Sequence, residues 1–123
     1  MVHYSEYVDR RPPQWAERAA AIRAELTAVL DSVPLGRNDF EGYATRRIYN
    51  VFAKTRALDD LALHPLLEGV LELVLGAHQF SAPVGIEIGP GEKAQVLHFD
   101  DSIYPLPWPH PEVVLNSMWA FDD

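Results

Sequence analysis

The chain has 123 residues, 48% hydrophobic and 23% charged, which suits one domain with a buried core and argues against global disorder. Its net charge is -8, and the segment His98–Asp123 has no Lys or Arg, so no nucleic-acid partner is expected and a cation suits that end better than a phosphate. With no cysteine, disulfides, thiolate metal sites and cysteine nucleophiles are excluded, and any metal must use His, Asp or Glu.

Residues 1–13 read as an irregular arm. They show no apolar stretch of signal-peptide type, and the window Leu66–Ala77 is too short for a bilayer and contains Glu68 and Glu72. The expectation is a cytoplasmic protein without a membrane partner. From about Gln14 to Leu30, Trp15, Ala19, Ile22, Leu26, Val29 and Leu30 recur mostly at steps of three or four, which predicts a helix with one apolar stripe, ended by Pro34 and Gly36. Around Arg47–Phe52 the pattern fits a short strand or a turn of helix. Pro65 then opens a second helix, where its missing N–H costs nothing, and Gly76 closes it. The wide apolar face of this helix predicts that Leu67, Leu71 and Val74 are buried against a sheet. From Phe80 the period becomes two. Strands are expected at Phe80–Ile88, Ala94–Phe99 and Val113–Phe121, separated by the Gly89-Pro90-Gly91 turn and a proline-rich loop. Helices over residues 14–76 followed by strands over residues 80–121 give an α+β class, with helices packed on an antiparallel sheet in a single domain over 1–123.

The chemistry centres on His98-Phe99-Asp100. On a strand, residues i and i+2 face one side, so an imidazole nitrogen and a carboxylate oxygen would converge on one point, as in a 2-His-1-carboxylate iron site. The same spacing equally describes a strand-end histidine followed by an aspartate that opens a turn.

The run Gly89 to Asp101, with Gln95-Val96-Leu97-His98-Phe99-Asp100-Asp101 at its core, Tyr104-Pro105 after it and Asn116-Ser117-Met118-Trp119-Ala120 further on, resembles the phytanoyl-CoA dioxygenase family of Fe(II)/2-oxoglutarate-dependent oxygenases. Thr45-Arg46-Arg47-Ile48-Tyr49-Asn50 and the Leu63-His64-Pro65 helix start share that resemblance, which covers roughly residues 37–123. It implies a double-stranded β-helix (a cupin-like jelly roll) holding non-haem Fe(II), with 2-oxoglutarate as cosubstrate and a small molecule or acyl-CoA ester hydroxylated. It carries His98 and Asp100 over as iron ligands. Gln95, Asn50 and Trp119 are carried over to the cosubstrate pocket, and no catalytic residue is implied beyond the metal site. For Gln95 to serve the same side as His98, a twist or bulge is needed.

The family's second iron histidine and its 2-oxoglutarate arginine fall beyond the Trp119 segment and are not in this sequence. The barrel is therefore expected to be incomplete and its last strand to be an open edge able to pair with another chain. This chain alone is expected to be inactive. The alternative function is a non-catalytic binding or assembly module that uses that edge. Other residues have ordinary readings. His110 is a loop histidine expected to be exposed, and otherwise a replacement ligand. His64 is a helix-start residue, Trp119 a core aromatic, Asn50 a partner of local backbone, and Arg46-Arg47 a solvated face.

Overall fold

The computed structural model describes residues 14–122; the arm read over residues 1–13 lies outside them. Helix α1 spans Trp15–Leu30, and the apolar repeat puts Ala19, Ile22, Leu26 and Leu30 on one buried face. The helix is followed by Asp31, whose amide still bonds the Thr27 carbonyl at 3.0 Å, and Pro34 prevents its continuation. This stripe forms the core with Ile48, Val51, Ala57 and Leu61, and Trp15, Phe52, Trp119 and Phe121 pack around it.

Strand β1, Thr45–Tyr49, pairs antiparallel with β2, Val84–Ile88, in a register running from Thr45↔Ile88 to Tyr49↔Val84. Directly paired residues share a face. Ile48 and Arg46 therefore face one way with Gly85 and Glu87, whereas Arg47 and Tyr49 face the other with Ile86 and Val84. Ile48 enters the core and is 1% exposed. A Cβ at Gly85 would sit in ordinary van der Waals contact with the Ile48 side chain, 3.4 Å away. On the same face, Arg46 Nη1 lies 2.8 Å from Glu87 Oε2.

After β1, Asn50 takes a left-handed conformation (φ 53°) and leads into a 3-10 turn over Val51–Ala53. Both readings of the Arg47–Phe52 region thus apply, one after the other. A short helix α2, Asp59–Ala62, places Leu61 in the core. Helix α3, Pro65–Leu75, has the expected bounds. His64 Nδ1 accepts from the Leu66 amide at 3.2 Å, and Gly76 (φ 67°) ends the helix. The burial expected of α3 is not found. It contributes no buried residue: Leu67 and Leu71 are half-buried and Val74 is exposed. The reason is that α1 and residues 48–61 already fill the core.

The expected sheet is also corrected. Ala94–Phe99 and Val113–Phe121 form no strands among the described residues, and the sheet has two strands, β1 and β2. Alternation marks a chain able to pair, but a strand exists only through a partner's hydrogen bonds. Here Val96, Leu97 and Phe99 are exposed. The strand expected to start at Phe80 starts at Val84, after Ala82 with φ 34° and Pro83, which has no N–H to donate. The described architecture is α+β. No described helix is long and apolar enough to cross a membrane.

Candidate metal centre

The chain reaches His98 from a clamped turn. Glu92 Oε2 accepts from the Ala44 amide at 2.5 Å and the Thr45 hydroxyl at 3.1 Å, and Oε1 accepts from the Lys93 amide at 3.0 Å. The Ala44 and then the Lys93 amide hold the Glu92 carboxyl below its ordinary value. The Thr45 hydroxyl and the Lys93 charge add to this, against some desolvation. Gly42 makes room for the carboxylate. It sits at φ 87°, and a Cβ there would lie 2.6 Å from Glu92 Oε2.

Beyond the clamp, Gln95 Nε2 donates to the Phe40 carbonyl at 2.6 Å. The Phe40 ring meets the His98 imidazole edge-on, with centroids 5.4 Å apart. His98 Nδ1 lies 2.7 Å from the Val96 carbonyl oxygen. A carbonyl only accepts, so Nδ1 is the donor in this contact. Nε2 in turn faces Asp100 Oδ1 at 3.4 Å, while Asn116 Nδ2 donates to Asp100 Oδ2. Each of the two groups therefore has a hydrogen-bond partner on its far side.

The imidazole nitrogen and the carboxylate oxygen face each other across 3.4 Å. Ligands about 2.1 Å from one ion reach that separation when they subtend roughly a tetrahedral angle. The donor pair thus fits a divalent metal. The side chains are 37% and 52% exposed, so the remaining positions face solvent. The convergence does not come from a strand. Phe99 is extended (φ -98°, ψ 133°) and Asp100 opens a 3-10 turn over Asp100–Ile103, which swings its carboxylate back toward the imidazole.

The other proposed site residues divide. Gln95 bonds the Phe40 backbone carbonyl, on the residue whose ring meets His98. Trp119 packs elsewhere, 5.7 Å from Trp15 and 5.8 Å from His64 between ring centroids, as a core-flanking aromatic. Asn50 is exposed, and its left-handed backbone makes the turn after β1. His110 departs from its expected exposure. Its side chain is 10% exposed, with the ring 4.5 Å from that of Trp108 and Nε2 3.7 Å from Asp101 Oδ2. Arg46 and Arg47 are not a freely solvated face either. Arg46 pairs with Glu87, and Arg47 donates to the Glu41 carbonyl at 3.1 Å and the Phe40 carbonyl at 3.4 Å.

Phe40 and Glu92 are the contributors that sequence reasoning missed, because each lies tens of residues from its partner. Asn116 was visible within the quoted motif but had no role assigned. No group of three or more His, Asp or Glu side chains able to hold a metal occurs among the described residues. No protein-family model matches the chain, and no solved structure matches it.

Proposed function

We propose that the chain is a non-haem Fe(II)/2-oxoglutarate dioxygenase-family protein that holds iron through His98 Nε2 and Asp100 Oδ1. One observation carries the reading: His98 Nε2 and Asp100 Oδ1 face each other at 3.4 Å, with Val96 and Asn116 bonded to the opposite side of each group. The resemblance of the Gln95–Asp101 run supplies the identity of the metal, since these ligand types alone also suit Zn or Mn. In this reading the substrate is a small molecule or an acyl-CoA ester, and the finer fold is the jelly roll that the resemblance implies. Iron with 2-oxoglutarate supplies oxidative C–H hydroxylation coupled to decarboxylation of the cosubstrate. The chain's own residues would orient the pair: the Val96 carbonyl accepts from His98 Nδ1, Asn116 donates to one Asp100 oxygen, and the Phe40 ring meets the imidazole edge-on.

The test is anaerobic calorimetric titration with Fe(II), using the His98→Ala/Asp100→Ala double variant as control. Stoichiometric binding lost in the double variant is expected. Equal binding by both proteins defeats the site.

A second reading, a non-catalytic assembly module, is favoured by the exposure of Val84, Ile86 and Ile88 along β2. Sedimentation analysis separates the two readings. A concentration-dependent dimer together with no metal binding favours assembly.

A further inference from the structure

A cleft of about 320 Å³ lies beside β1, on the segment leading into it. That volume is at the low end for sites that take small ligands. Its lining includes Arg37, Arg47 and Lys54, three of the ten Lys and Arg residues in a chain of net charge -8. Glu41 is the one acidic residue in the lining, and one of its carboxylate oxygens is already engaged by the Arg37 amide at 2.9 Å. Arg47 is held in place through the Glu41 and Phe40 carbonyls, and a guanidinium has five N–H donors, so others remain for a ligand. The walls between these charges are mostly apolar and include the exposed side chains of Leu35 and Tyr49. Cations set around an apolar cleft match a molecule with one anionic end and a hydrocarbon body.

We propose that this cleft binds an amphiphilic organic carboxylate, with the carboxylate at Arg37, Arg47 and Lys54 and the apolar body along Leu35 and Tyr49, which shares the Arg47 face of β1. Arginine favours the carboxylate because its planar fork matches two oxygens at once. The lining of this cleft does not include His98 or Asp100, and the proposed binding does not depend on iron.

Calorimetry with sodium octanoate at low ionic strength tests it on the full chain. Binding is expected to weaken at least tenfold in the Arg37→Gln/Lys54→Gln double variant, whose altered side chains make no bond that shapes the fold. Arg47→Gln is expected to weaken it as well, with a thermal melt as the check on folding. Raising the salt concentration is expected to weaken binding to the wild-type chain through screening. Octanoate binding that is absent from the wild-type chain, or unchanged in the double variant, overturns the proposal. Inorganic phosphate binding as tightly as octanoate also overturns it, since the apolar body would then contribute nothing.

Discussion

In the proposed iron site, His98→Ala or Asp100→Ala removes a ligand outright. Asn116→Leu leaves both ligands but frees Asp100 Oδ2 from its donor. Removing such an orienting partner is expected to lower Fe(II) affinity by about 10- to 100-fold, and competition titration against a chelator measures it. Glu92 offers a separate test. Its carboxyl is held low by backbone amides, so its contribution to folding is fully present above the ordinary value of 4.5. That contribution disappears as pH falls below this value through the lowered folded-state value. Glu92→Gln is therefore expected to flatten the acid limb of stability against pH, seen as a smaller drop in melting temperature between neutral pH and the acid range. An unchanged acid limb would show that the clamp does not couple to folding. Gly42→Ala acts on the same contact from the other side. It places a side chain at φ 87° and against Glu92 Oε2. A cost of about 1–3 kcal/mol is expected from the backbone alone, read from urea denaturation.

Among the elements, the two main helices differ in what they bury. Ile22 on α1 is fully buried, whereas Leu73 on α3 is 85% exposed. Ile22→Ala is expected to cost about 2–5 kcal/mol, and Leu73→Ala to stay within about 0.5 kcal/mol, both by chemical denaturation. The bounds of α1 and α3 were legible in the sequence because proline, glycine and a 3.6-residue period act locally. The burial of α3 was not, because which apolar face reaches the core depends on what else fills it. Leu67 and Leu71 lost that place to Val51, Ala57 and Leu61. The strand pattern at Ala94–Phe99 was real as alternation and silent about a partner. For the same reason the His98–Asp100 pairing was anticipated through the wrong element: a 3-10 turn, not a strand face, brings the groups together. The register that sets Arg46 opposite Glu87 depends on residues 41 apart and left no local mark.

For the whole molecule, two proposed ligands on an exposed surface set a modest expectation. Two protein donors hold a divalent ion less tightly than three, and misplacement of a cosubstrate alone can cost roughly 100-fold in rate. Purified chain supplied with Fe(II), ascorbate and 2-oxoglutarate is expected to release succinate no faster than the His98→Ala/Asp100→Ala double variant. Turnover well above that control would point to a third ligand drawn from His110 or from a second copy of the chain. The pairing of β1 with β2 has a further consequence, which concerns time. The strands meet only after residues 50–83 have been looped out between them, and the Arg23 and Asp122 side chains close a span of 99 residues. Contacts this distant along the chain must be reached by diffusion before they return any stabilisation, which slows folding relative to helix formation. In stopped-flow refolding, helical ellipticity is expected to rise ahead of the fluorescence change from Trp15 and Trp119, whose rings come together only when the two ends of the described chain have met.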